Sequence, residues 1–213
     1  MPHPAAAAPH PPQADVRHAL QADGPALAEG SAREALRQAM QQLSAAEDAV
    51  GSGRTAGLCQ AHTGVARALS HLQAYSSAES HLAQALHWGV VMGATDVRAD
   101  LHCALSEVAT NAAELAELRG ESPDRVRRAR DRSRDHVFEA ARLAGHTADP
   151  HWEVKLLLRA SDVLDRCGDH DDAVQLQQRA LVLMGLHSAE LASAIAAAQA
   201  GDNPAGNAVG TLM

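Results

Sequence analysis

Large aromatic side chains are nearly missing from this chain: only Tyr75, Trp88, Phe138 and Trp152 are present, 2% of 213 residues. β-Branched residues are sparse as well, while Ala and Leu dominate, so the composition favours helix over sheet throughout. Lysine is reduced to Lys155, and the net charge of -8 argues against a polyanion-binding protein taken as a whole. The three cysteines, Cys59, Cys103 and Cys167, are scattered and include no C-x-x-C pair, which speaks against a disulfide framework or a thiolate zinc site. No segment approaches the roughly 18 apolar residues of a membrane span, and the N-terminus lacks the positive start and apolar core of a signal peptide. These absences describe a soluble protein without a membrane partner, in a reducing, cytoplasmic compartment. Catalytic signatures are missing too: there is no Gly-rich phosphate loop, nucleophile elbow or H-E-x-x-H. The expectation is a non-enzyme with no cofactor.

What is present is a globular composition, 46% apolar and 21% charged, with a pattern of helix starts and stops. Residues 1–30, rich in Pro, Ala and His, read as a flexible leader, and residues 201–213 as a flexible tail, leaving a helical domain over 31–200. Ser31 with Glu34 and Ser76 with Glu79 form capping-box patterns. Thr95 or Asp96 caps another helix, Ser122-Pro123 and Asp149-Pro150 place a cap before a first-turn proline, and Asp169 and Ser188 cap the last two. Glycines 51, 93, 120, 145 and 168 close segments, so eight helices joined by short loops are expected.

The helices repeat. Ala78 and Ala85 stand seven residues apart, as do Ala173 and Ala180, two turns along one helical stripe. Helix axes approach closer than about 10 Å only where side chains are small. Each such helix therefore leans on a preceding one with a small site of its own: Ala66 in the first unit, Ser161 beside Ala160 in the last. Ser106-Glu107-Val108-Ala109 parallels Ser161-Asp162-Val163-Leu164, and Ala140-Ala141 parallels Ala180-Leu181, which adds a middle unit. The small sites Ala66, Ser106 and Ser161 fall at intervals of 40 and 55 residues. Ala78-x3-Leu82-x2-Ala85 and Gly168-Asp169-x3-Ala173-x6-Ala180-Leu181 resemble the second-helix signature of tetratricopeptide repeats, in a divergent form of bacterial type. Family units are roughly 34 residues long, so the middle pair should be extended by about two turns per helix. The resemblance covers about residues 55–185. It implies an all-α, right-handed solenoid of about three antiparallel helical hairpins with flanking capping helices.

The resemblance further implies a concave groove lined by the first helix of each pair, holding a peptide or helix of a protein client. Carried over residue by residue, the candidates are Gln60, Thr63, Arg67, Ser70 and His71; then Asp100, Cys103, Glu107, Thr110 and Asn111; then Lys155, Leu158, Asp162, Asp165 and Arg166. The bland alternative is a solvated helix face. A homo-oligomer is compatible with the pattern.

Two other readings compete. Arg125, Arg127, Arg128, Arg130, Arg132 and Arg134 crowd one helix and could grip phosphates, but Asp124, Asp131 and their neighbours stand at neutralising spacing, and no stacking aromatics are interleaved, so nucleic acid is disfavoured. A secretion-type chaperone or peptide sensor could use the same scaffold. Cys59 with His62, and His146 with His151, lack the further ligands a zinc site needs. The acids of Asp165–Ala173 fit a helix start better than a calcium loop. Trp88 and Trp152 are expected to fill space that alanine leaves between helices.

Overall fold

The computed structural model describes residues 24–51 and 53–201, with side chains for 30–51, 53–185 and positions 189 and 193. The expected tail over 202–213 and most of the expected leader lie outside the described residues. The described chain is all-α, with no strand. Seven helices follow in order: α1 (Gly24–Asp48), α2 (Arg54–His71), α3 (Tyr75–Met92), α4 (Thr95–Leu118), α5 (Pro123–Ala144), α6 (Pro150–Cys167) and α7 (His170–Gly201). Each packs on the next in sequence, and α4 also meets α6.

The small residues make these contacts. Ala78, Ala85, Ala173 and Ala180 are buried, as are Ala66, Ser106 and Ser161 opposite them. Ala66, Ala78, Leu82 and Ala85 join Leu101 and Leu105 in one apolar cluster, so α3 is held between α2 and α4. Leu157, Ala160 and Leu164 pack with Ala173, Leu176 and Ala180 in a second cluster that ties α6 to α7 and reaches Val137 of α5. Trp88 and Trp152 are half-buried against neighbouring clusters, filling space as expected.

Between α4 and α5 the contact is partly polar. Ser133 occupies the stripe position that Ala78 and Ala173 hold in the other pairs. Its hydroxyl donates to the Ser106 carbonyl at 3.0 Å, and Thr110 lies 2.7 Å from it. Since Ser133 spends its hydrogen on the carbonyl, Thr110 must be the donor to Ser133. The middle helices are longer, 24 residues in α4 and 22 in α5 against 18 in each of α2, α3 and α6. Those extra six and four residues fall short of the two turns per helix expected.

Several helix ends differ from expectation. Asp149 caps α6, accepting from the N–H groups of His151 and Trp152 at 3.0 Å each. Ser122 stands at the N-cap of α5, but its side chain makes no capping bond. Ser76 lies inside α3, one residue past its start, and Thr95 is the first residue of α4, so neither caps. Asp169 precedes α7, yet its carboxylate is taken by the Arg134 guanidinium. α1 begins at Gly24, with Pro25 tolerated in its first turn, which leaves Ser31 in the helix interior. Finally, α7 runs unbroken through Gly185 and Ser188, so among the described residues one helix stands where two were expected. A helical glycine costs only about 1 kcal/mol relative to alanine, and no proline follows to enforce a stop.

Candidate interaction groove

Helices α2 and α4 enclose two adjoining hollows. The larger, about 700 Å³, is lined by Gln60, Thr63 and Arg67 from α2, by Asp100, Leu101 and Ala104 from α4, and by Met92 and Arg159. The smaller, about 240 Å³, shares Thr63, Arg67, Ala104 and Arg159 and adds Ser70, His71, Leu82, Glu107, Val108 and Asn111. The walls are apolar where Leu82, Leu101 and Val108 are buried, and polar at the rim. Eight of the fifteen candidates thus surround one continuous depression: Gln60, Thr63, Arg67, Ser70, His71, Asp100, Glu107 and Asn111.

Their readiness to bind differs. Arg67 is exposed and has no ion-pair partner among the described residues. Thr63 spends its hydroxyl on the Cys59 carbonyl at 2.8 Å. Asp100 and Glu107 are engaged by Arg159, at 3.1 Å and 2.9 Å. Arg159 was not anticipated from sequence, because no spacing rule links one helix to a carboxylate more than fifty residues away. Its guanidinium closes the α4 and α6 sides of the groove and leaves Arg67 as the rim cation with an open hydrogen-bonding face.

The α6 candidates stand apart. Lys155, Asp162 and Asp165 are exposed and line neither hollow, and Leu158 is exposed beside them. Asp165 pairs with His170 at 2.5 Å. Arg166 donates to Glu114 at 2.8 Å and 2.9 Å and to Asn111 at 2.5 Å, a tie between α6 and α4. Cys103 and Thr110, assigned to the groove by the resemblance, are instead fully buried. A step of three residues falls about 60° short of a full turn, and that offset separates the groove face of Asp100, Glu107 and Asn111 from the core face of Cys103 and Thr110 on α4. Burial pushes the Cys103 thiol up to about 12, so it stays protonated.

The arginine-rich helix is neutralised, though not by the expected partners. Arg127 binds Asp124 at 2.7 Å rather than Asp131, Arg125 binds Glu121 at 2.6 Å, and three others reach off the helix: Arg130 to Glu117, Arg132 to Glu79, and Arg134 to Asp169. Packing of α5 beside α3, α4 and the start of α7 brings these acids within reach. Only Arg128 of the six has no ion pair among the described residues.

Two histidine contacts were also missed. His62 of α2 meets His81 of α3, and His102 of α4 meets His136 of α5. The signal was in the sequence: His62 and His102 are 40 apart, like Ala66 and Ser106, and His81 and His136 are 55 apart, like Ala78 and Ser133. Among the described residues no cluster of three or more His, Cys, Asp or Glu could hold a metal ion, and no helix is long and apolar enough to cross a membrane. The cysteines are free.

No protein-family model matches the chain, and no curated protein matches it. Among solved structures it is similar to BtubC (BKLC) from P. vanneervenii, with 17% identity, coverage of 87% of this chain and 81% of that one, and a TM-score of 0.34.

Proposed function

We propose that the chain is a tetratricopeptide-like solenoid of three helical hairpins, α2–α3, α4–α5 and α6–α7, capped by α1, and that it works as an interaction module for a protein client rather than as an enzyme. The observation that carries this reading is the pair of adjoining hollows between α2 and α4, apolar in the walls, with Arg67 at the rim. A preformed depression of this kind lowers the ordering cost of a bound segment. Apolar side chains of the client would seat on the half-buried Met92, Val97 and Ala104, and a carboxylate or backbone carbonyl would meet Arg67. A secretion-type chaperone or peptide sensor would use the same surface. The mutual ion pairing of α5 arginines leaves a nucleic-acid role without a comparable feature.

The test is a nuclease-treated capture from native lysate, read by quantitative mass spectrometry, with wild type, Arg67→Glu and Asp162→Lys as baits. Arg67→Glu should lose the client at least tenfold while unfolding at the wild-type temperature, and Asp162→Lys, outside the hollows, should retain it. Loss with Asp162→Lys and retention with Arg67→Glu would move the binding surface to the α6 face.

A further inference from the structure

The two histidine contacts share one geometry. Their Nδ1 atoms lie 3.0 Å apart for His62 and His81 and 3.1 Å apart for His102 and His136. Ring centroids are 5.3 Å apart in both, with the planes inclined at 39° and 47°. All four rings are half-buried. At the equivalent positions in α6 and α7 stand Leu157 and Leu176, both buried. Two neutral imidazoles satisfy such a contact with one N–H donating and one lone pair accepting. A single added proton keeps an N–H⁺···N bond. A second removes the acceptor and leaves two cations in contact within a half-buried site.

We propose that the two imidazole pairs form a proton-operated latch, which clamps α2 to α3 and α4 to α5 at neutral pH and loosens both when each pair is doubly protonated, while α6 and α7 stay closed. This inference does not depend on the client reading.

The surrounding charges relieve the repulsion only in part. His62 faces Glu47 of α1. His102 faces Arg98 on its own helix and Glu139 with Arg142 on α5. His136 faces Glu79 of α3 and, on its own helix, Arg132 and Asp135; His87 of α3 lines a separate hollow together with Glu79, Arg132 and His136. Glu139 is held by Arg142 at 2.7 Å and Glu79 by Arg132 at 3.3 Å, so each of these carboxylates already has a cation. Burial and then the partner imidazole depress His62, the same causes in the same order bring His102 down to about 4, and burial depresses His136. In the unfolded chain imidazoles titrate near ~6.5. Between those limits the unfolded chain binds more protons than the folded one. The stabilisation is therefore complete above about 6.5 and is lost as pH falls towards 4. Each pair titrates as a unit.

Amide hydrogen exchange of the full chain at about pH 7.5 and about pH 5, corrected for intrinsic rates, tests the latch. Protection in α2 to α5 should fall at least about tenfold relative to α6 and to α7 up to Gly185, tenfold being the factor per unit of depressed pKa. His62→Leu with His81→Leu should abolish the loss in α2 and α3 only, and His102→Leu with His136→Leu in α4 and α5 only. Equal loss in α6 and α7, or a loss that survives the leucine variants, overturns the proposal. Should a leucine variant fail to fold, a histidine NMR titration of the wild type decides: at least one midpoint in each pair below about 6 supports the latch, and midpoints at or above about 6 for both members of a pair overturn it.

Discussion

The α4–α5 and α6–α7 pairs place small residues at matching positions and finish the contact in opposite ways. In α6–α7 the rest is apolar, with Leu157 and Leu176 filling the gap beside Ala160, Ala173 and Ala180. In α4–α5 the corresponding places hold His102 and His136, and a serine replaces the alanine of the stripe. Close approach of two helices thus demands small volume rather than apolarity. A hydroxyl fits where a methyl fits, provided a partner is supplied, and Thr110 with the Ser106 carbonyl supplies it. The apolar pair should then be vulnerable to lost volume, and the polar pair to lost hydrogen bonds and added protons.

Leu157→Ala attacks the apolar pair at a fully buried side chain and should cost about 2–5 kcal/mol in urea unfolding through the cavity it leaves. The half-buried His102→Ala, its counterpart, should cost less at neutral pH; equal costs would erase the distinction. Ala173→Leu should destabilise by about 1–3 kcal/mol through overpacking of the stripe, and unchanged unfolding would remove Ala173 from the contact. Thr110→Val keeps the volume but deprives Ser133 of a donor, at a cost of about 1 kcal/mol. A neutral effect would show that shape alone holds α4 to α5. Asp149→Ala removes the side-chain cap of α6 and should also cost about 1 kcal/mol, whereas Ser122→Ala, at a cap position without a capping bond, should cost only a few tenths. Comparing those two in one denaturation series separates a working cap from a position that merely looks like one.

Much of the helical layout was legible because its signals are local. Asp149 before Pro150, and Gly93 and Gly168 in left-handed conformations at the ends of α3 and α6, act within a few residues of themselves. The misreadings arose where a distant group competed or where a local signal was too weak to act. Asp169 has the right type for a cap, but Arg134 approaches from α5 and binds its carboxylate first. Ser188 and Gly185 resemble a break, yet propensity differences of about 1 kcal/mol do not end a long alanine-rich helix. Eight of fifteen groove positions converge because residues on the exposed stripe of α2 and α4 share a face by periodicity. Cys103 and Thr110 fell to the core because assigning a face to a 24-residue helix packed on two sides requires knowing its neighbours.

By itself the sequence determined the all-helical class, the main breaks, and the stripe of small residues along which helices meet, since each follows from propensity, capping chemistry or the 3.6-residue period. Only the tertiary structure decided which charges meet and which histidines touch. Arg159 with Glu107, Arg134 with Asp169, and His102 with His136 join residues more than thirty positions apart, and their distances depend on how whole helices are placed rather than on any local preference.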